Sequence, residues 1–411
     1  MELALVPTLN KEQEDALVDV MSGKNVFITG GAGVGKSFLV QEIVKSFFKS
    51  KKTIGVCGMT GCAALIIGGM TVHSFLGIGL GKESAMKLAE KVRKFPAALA
   101  RILESDALLI DEVSMLNAEL FEKINQFLQI VRRKKVPFGG MQIVLVGDPF
   151  QLCPVEGEYF FASLDYKDFI VHNLSMNMRQ RGDPTFKNLL DRVRWGVCCD
   201  EDLVVLKKLQ HTKFPDGIIP TKLYSKNVSV DSINLAELNK LNSPQQDFEA
   251  VANHEVAKKW MVTNRIPEKI RLCIGAQVMC TKNIPILGLV NGSRGVITDL
   301  APNHVSMKLL DGRIVKVPFV TIPFQLESIK LLYMPIKLAW AVTIHSAQGL
   351  TIDALEVDLG KDIFTWGQAY TGLSRATSLA TVRITSVLGT SFVTNPKVIH
   401  FLNTQLKIEN V

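Results

Sequence analysis

The sequence predicts an α/β protein in which mostly parallel strands are covered by helices on both faces. Three observations predict it. Short apolar runs of strand length alternate with helical stretches along the chain. The most apolar runs end in glycine or acidic residues, where ligands of such sheets sit. The chain has 411 residues, 47% of them hydrophobic, which is enough for two to four domains with sizeable cores.

Each element follows from its local pattern. Lys11 to Ser22 reads as a helix and Asn25 to Thr29 as a buried strand running into glycines. Phe38 to Lys49 is amphipathic at helical spacing. Thr53 to Met59, Ala107 to Ile110 and Ile143 to Val146 are further short strands. Gly81 to Arg101 carries Lys82, Lys87, Lys91, Arg93, Lys94 and Arg101 against Glu83 and Glu90, and reads as a basic helical insertion. Whether its charges face a partner or only water stays open. From Val290 to Phe324 the character changes to short β runs around Asp311-Gly312, a strong hairpin turn. That block reads as a small β-barrel module. The α/β pattern resumes at Lys337 to Thr343, Leu355 to Asp358 and Thr381 to Ile384. No internal repeat is expected.

Composition excludes several classes. The apolar fraction is too high for a disordered chain. Mean hydropathy is +0.20, yet no apolar run approaches the ~18 residues of a membrane span. Lys and Arg number 47 against 39 Asp and Glu, a net charge of +8 that suits a polyanionic partner. The seven cysteines include no CxxC and no zinc spacing, so buried free thiols in a reducing compartment are expected. Met1 to Pro7 lacks a basic n-region, and Glu12, Glu14 and Asp15 do not suit a mitochondrial presequence. Nucleus, cytoplasm and a viral replication site fit equally.

The chemistry begins at Gly30-Gly31-Ala32-Gly33-Val34-Gly35-Lys36-Ser37, between a strand and a helix. In that setting the pattern is a phosphate-binding P-loop: glycines turn backbone N–H groups inward and the helix N-terminus adds positive charge. Lys36 would reach the β- and γ-phosphates, and Ser37 would ligate Mg²⁺. Phe38 closes the set that begins at Gly31. Leu108-Leu109-Ile110-Asp111-Glu112 delivers two carboxylates from a buried strand. Asp111 would hold Mg²⁺ and Glu112 would orient or deprotonate the attacking water. A third strand ends in Gly147-Asp148-Pro149-Phe150-Gln151, where Gln151 would sense the γ-phosphate or sit on a surface turn. Together these sites imply hydrolysis of a nucleoside triphosphate with bound Mg²⁺.

A larger set of motifs surrounds this site. It comprises Thr60-Gly61-Cys62-Ala63-Ala64, then Gly69-Met70-Thr71-Val72-His73-Ser74-Phe75, then Asp-Glu-Val-Ser-Met at 111–115. It continues with Glu119-Leu120-Phe121, Arg132-Arg133, Pro137 to Gly140 and Gly147 to Pro154. It resumes at Gly275 to Met279, Val290 to Gly295, Lys337 to Ala341, His345-Ser346-Ala347-Gln348-Gly349 and Gly367 to Ala376. This ordered set resembles the Pif-one family of superfamily 1B DNA helicases over nearly the whole chain. It departs at Cys62 and Cys153, where the family often has an aliphatic residue and a proline. It also departs at Ser346-Ala347, where Lys-Ser is common.

The resemblance implies two RecA-like P-loop domains, residues 1–167 and 168–411, with ATP between them. A small basic helical wedge is implied at about 77–104 of the first, and a small Src-homology-type β-barrel at about 284–334 of the second. It assigns Arg179 and Arg375 as arginine fingers and Gln13 as the adenine-reading glutamine, for which a solvated helix face is the alternative. The physical case for the fingers is independent: charge on the transferring phosphoryl group must be neutralised. Thr60, His73, Ser74, Phe75, His345, Ser346 and Gln348 are implied as the single-stranded DNA track. Read alone, each histidine is as well explained by a structural role and Phe75 by the core.

The implied partners are single-stranded DNA and duplexes with a 5′ tail, extending to G-quadruplexes and RNA–DNA hybrids. The chain would act as a monomer or a DNA-induced dimer, away from membranes. The alternative is a DNA-stimulated ATPase that translocates or displaces proteins without separating strands. A RecD-like nuclease-linked motor and a small-molecule kinase fit less of the pattern.

Overall fold

The computed structural model describes residues 8–177, 182–214, 220–263, 266–282, 284–289, 293–309, 312–323, 328–352 and 354–406. In the first part the expected strands are β1 (Val26–Gly30), β2 (Ile54–Gly58), β4 (Ala107–Asp111) and β5 (Gln142–Val146), and the structure adds β3 (Met70–Thr71) and β6 (Ile170–Leu174). They form one sheet in the order β3-β2-β4-β5-β1-β6, with every described pair parallel. Strands β1 and β4 are buried at every residue, as a sheet covered on both faces requires.

Two cores follow from the two-residue strand period. On one face Ile28, Leu109 and Val144 meet Ala16 and Val20 of α1 (Lys11–Met21) and Leu39, Ile43 and Phe47 of α2 (Lys36–Lys49). The other face sets Phe27, Leu108, Ile110, Ile143 and Leu145 against the remaining helices. After α3 (Gly61–Ile66), these are in chain order α4 (Val72–Leu76), α5 (Ala85–Val92), α6 (Pro96–Glu104) and α7 (Ala118–Arg132). The basic insertion is thus the helix pair α5–α6, anchored by Leu88, Ala89, Val92, Ala98 and Ile102. Lys82, Lys87, Lys91, Arg93 and Lys94 are exposed. Arg101 departs from that pattern. Its guanidinium donates to the carbonyls of Ser74 and Phe75 and lies over the Phe75 ring, tying α6 to α4. Arg132 is likewise structural, donating to the carbonyls of Ile102, Ser105 and Gly139.

The chain then adds α8 (Pro184–Arg194) and α9 (Asp200–Lys208). It divides into two compact units, Met1–Gly217 with Ala347–Val411, and Ile218–Ser346. These units do not coincide with a break at 167/168, because β6 completes the first sheet beside β1. The second unit opens with β7 (Thr221–Tyr224), α10 (Asn227–Lys240), β8 (Gln245–Glu249), β9 (Val251–Ala252), α11 (Glu255–Thr263) and β10 (Lys269–Cys273). Strands β11 (Gln277–Cys280), β12 (Arg294–Ala301), β13 (His304–Leu309) and β14 (Ile314–Pro318) follow. They are succeeded by β15 (Val320–Pro323), β16 (Lys330–Tyr333), β17 (Ile336–Leu338) and β18 (Ala341–Thr343).

The expected β module is a five-stranded antiparallel sheet, β14-β13-β12-β11-β17, so it reaches outside 284–334 at both ends. The predicted hairpin joins β13 to β14, with Gly312 at φ +87°; Asp311 lies outside the described residues. Val278, Ile297, Val305, Met307, Val317 and Trp340 form the unit's core. A separate parallel pair joins β18 to β7.

The chain returns to the first unit with β19 (Leu355–Leu359), α12 (Gln368–Leu373), β20 (Val382–Val387) and α13 (Pro396–Leu406). Strands β19 and β20 pair in parallel. Cys57, Cys273 and Cys280 are buried free thiols as expected, whereas Cys153, Cys198 and Cys199 are half-exposed. Nothing is described of the Cys62 side chain. Among the described residues no helix is long and apolar enough to cross a membrane.

Candidate functional site

The P-loop forms because β1 stops at Gly30 and α2 starts at Lys36, with Gly33 (φ +83°) and Gly35 (φ +84°) in the left-handed region between them. A Cβ is strained there, so glycine is required. No side chain caps α2, which leaves its first-turn N–H groups to a ligand. The Lys36 ammonium folds back and donates to the carbonyls of Gly30 (2.7 Å) and Gly31 (2.9 Å). Burial pulls its pKa down, and the nearby Asp148 and Glu112 carboxylates oppose that shift.

A cleft of about 290 Å³ opens on this loop. It is lined by Ala32, Gly33, Gly35, Lys36, Ser37, Phe38, Glu112, Gln151, Gly349 and Arg375. Of the predicted set, Ala32, Gly33, Gly35, Lys36, Ser37, Phe38, Glu112, Gln151 and Arg375 therefore converge here, and Arg375 belongs to the same compact unit as Lys36. Gly31 and Val34 line a neighbouring cavity of about 350 Å³ with Arg194 and Tyr370. Asp111 ends β4, and its carboxylate accepts from the Glu112 backbone N–H at 2.8 Å. Burial first, and then the adjacent Glu112, pushes the Asp111 pKa up to about 7. Glu112 sits at φ +54°, a rare conformation for a non-glycine residue and one found at working sites. Gln151 is buried, not on a surface turn, and its Oε1 accepts from Arg375 Nη2 at 3.3 Å. Arg375 also donates to the carbonyl of Thr371 and to Ser374 Oγ.

Gln13 is buried too, which overturns the solvated-helix alternative. It shares a reciprocal capping box with Asn10, and its Nε2 reaches the Gly35 carbonyl at 3.5 Å. Arg179 lies outside the described residues. A Mg²⁺ ion fits the hard oxygen donors Ser37 and Asp111. Among the described residues no three His, Cys, Asp or Glu side chains gather into a metal site. The ion would therefore share its shell with nucleotide phosphates and water.

Three contributors were missed. Asp148 has no exposed surface and lies between Arg194, at 2.9 Å and 3.1 Å, and the Tyr370 hydroxyl, which donates to it at 3.1 Å. Burial would raise the Asp148 carboxyl, but the Arg194 guanidinium outweighs it and holds the pKa below the usual range. Tyr370 also accepts from the Ala32 N–H at 3.0 Å, which joins this cluster to the P-loop. Gly367 makes the approach possible, since a Cβ there would lie 2.3 Å from the Phe150 carbonyl oxygen. Tyr370 stood inside a recognised motif, but nothing in the sequence marked Arg194.

On the DNA side, Thr60 Oγ1 accepts from the Ala63 N–H and caps α3. Ser74 is exposed and His73 half-buried. The Phe75 ring is buried in the core, facing Gly55, so it offers no stacking surface. Thr71 Oγ1 accepts from the Ser74 N–H at 3.2 Å and lies 2.9 Å from the Ser74 hydroxyl. In the second unit, Thr343 meets Ser346 at the same two distances. Thr71 and Thr343 were missed although the sequence carries the signal: Thr-Val-His-Ser at 71–74 is echoed by Thr-Ile-His-Ser at 343–346. Burial lowers the pKa of both His73 and His345 and so favours the neutral ring. Gln348 is buried, and its amide donates to Glu112 Oε2 at 2.9 Å.

Comparison with known proteins identifies the family. Residues 8–202 match the model of the PIF1-like helicase family, and residues 261–300 match that of the DNA helicase Pif1 2B domain. The ATP-dependent DNA helicase PIF1 of Danio rerio is 37% identical over 93% of this chain, which spans 62% of that relative's length. A crystal structure of Pif1 helicase from Candida albicans superposes with TM-score 0.88 at 34% identity, covering 98% of this chain and all of that one. Pif1 helicase from Bacteroides, solved in complex with ADP-AlF3 and single-stranded DNA, gives TM-score 0.80 at 26% identity, covering 98% and 99%. The chain belongs to the PIF1-like helicase family.

Proposed function

We propose that the chain is the motor core of an ATP-dependent DNA helicase. It hydrolyses ATP to move 5′ to 3′ along single-stranded DNA and to unwind duplexes that carry a 5′ tail. The observation that carries this reading is the convergence of Lys36, Glu112, Gln151 and Arg375 on one cleft. The Bacteroides relative, which holds a nucleotide analogue and DNA together, supports it.

In this reading Lys36 exchanges the Gly30 and Gly31 carbonyls for the β- and γ-phosphates of ATP. Glu112 takes the proton of the attacking water, and Gln151 reads whether the γ-phosphate is present. Arg375 and Arg179 neutralise the charge that develops on the transferring phosphoryl group. Gln13 reads the adenine. Ser37 and Asp111 hold Mg²⁺, which supplies further charge neutralisation. Thr60, His73 and Ser74 form one DNA grip, His345 and Ser346 the other. As neutral rings, the histidines grip by hydrogen bonds. A change of about one nucleotide in the spacing of the grips per ATP moves the motor. Base-pair steps cost ~1.4 kcal/mol each, within reach of one ATP.

The division into RecA-like domains at 1–167 and 168–411, with wedge and barrel insertions, belongs to the same proposal. So do action as a monomer or DNA-induced dimer, a reducing compartment, and G-quadruplex or RNA–DNA hybrid substrates. The test is ATP turnover with and without single-stranded DNA. DNA should stimulate the wild-type protein strongly. Lys36→Ala should lose turnover, and Glu112→Gln should lose about 10²- to 10⁴-fold while still binding ATP. Turnover indifferent to DNA, or undiminished in Glu112→Gln, would contradict the proposal.

A further inference from the structure

We infer that Gln348 is a positioning residue for hydrolysis: its side-chain amide holds the Glu112 carboxylate in the orientation that turnover uses. This deepens the ATPase reading and rests on it. Gln348 is 1% exposed, and its Nε2 lies 2.9 Å from Glu112 Oε2 and 3.4 Å from Ser114 Oγ. The amide has one workable orientation, because reversing it would turn a carbonyl oxygen toward a carboxylate.

That orientation has a cost. Among the described residues no group donates to the buried Gln348 Oε1. A side chain placed only to satisfy itself would not leave its acceptor unmade. The contact with Glu112 is therefore what the position is built around. Glu112 needs such an anchor, since its left-handed backbone sets where the side chain leaves the chain and not where its oxygens end. A charge-assisted bond from a buried amide fixes that last torsion.

Gln348 follows His345 and Ser346 in the chain. Family position places it on DNA, whereas its amide is engaged by the proposed general base. The two roles make opposite predictions. Gln348→Met keeps length and removes the donor; Gln348→Glu keeps the shape and faces Glu112 with a like charge, and it serves if the first variant does not fold. In the full chain, kcat and KM for ATP are measured at saturating oligo-dT, and oligo-dT affinity by fluorescence anisotropy. Single-turnover rates are then compared in the Glu112→Gln background.

The positioning role predicts a fall in kcat of about 10- to 100-fold, the scale of a misplaced catalytic group. KM for ATP and the Kd for oligo-dT should stay within about twofold, and Gln348→Met should cost nothing further once Glu112 is Gln. Unchanged kcat would overturn the inference. So would weakened oligo-dT binding with kcat retained, which marks a DNA contact, or a loss that multiplies in full with Glu112→Gln. A wild-type protein with no DNA-stimulated turnover would instead sink the functional reading.

Discussion

Asp148 is held with no exposed surface between the Arg194 guanidinium and the Tyr370 hydroxyl, one residue from Pro149-Phe150-Gln151. Removing one partner of a buried pair leaves an uncompensated charge, so Arg194→Met should cost about 3–5 kcal/mol in denaturant unfolding. Making the second partner apolar as well, as in Arg194→Met with Asp148→Leu, should recover much of that loss. The pH dependence separates the cases. Because the folded-state pKa of Asp148 is depressed, its contribution is present above the usual carboxylate range of ~4 and is lost as pH falls through the depressed value. In Arg194→Met burial is opposed only by the Lys36 charge and the Phe150 N–H, so that pKa should rise and the stability gained above about pH 4 should shrink. Matching stability–pH curves for the two proteins would contradict the assignment.

At the scale of elements, the two Thr-x-His-Ser turns repeat one local solution. Each threonine ends a short strand, caps the turn and fixes a serine hydroxyl at 2.9 Å. Thr71→Val and Thr343→Val each remove the cap, worth about 0.5–2 kcal/mol. If the turns hold DNA, oligo-dT binding should weaken up to about tenfold in either variant, read by anisotropy. Unaltered binding in both would remove the turns from the track. The elements were largely legible in the sequence, because apolar runs and glycine punctuation are local signals. What was not legible depends on three-dimensional packing. Phe75 was assigned to DNA by its motif, yet Gly55 opens a place for its ring in the core. Arg101 reads in sequence as one charge of a basic insertion that faces a partner or water, yet it grips the carbonyls of α4. Arg194 carried no signal, since its partner Asp148 is 46 residues away in sequence.

For the whole molecule, the sequence signals and the fold meet in one arrangement. A parallel sheet brings the ends of β1 and β4 to one edge, where the P-loop, Asp111 and Glu112 lie. The returning segment after residue 347 adds Gln348, Tyr370 and Arg375 to that edge. Local patterns announced the first contribution, whereas the second was legible only through motif order, because no local rule tells which sheet a late segment joins. This arrangement is the basis of the proposed hydrolysis, and strand separation is the proposed use of it. The direct measurement is unwinding of two duplexes, one with a 5′ single-stranded tail and one with a 3′ tail, with ATP and Mg²⁺, beside Lys36→Ala. The account predicts separation of the 5′-tailed duplex alone, abolished in Lys36→Ala. Separation of the 3′-tailed duplex, or of neither while DNA still stimulates ATP turnover, would contradict it.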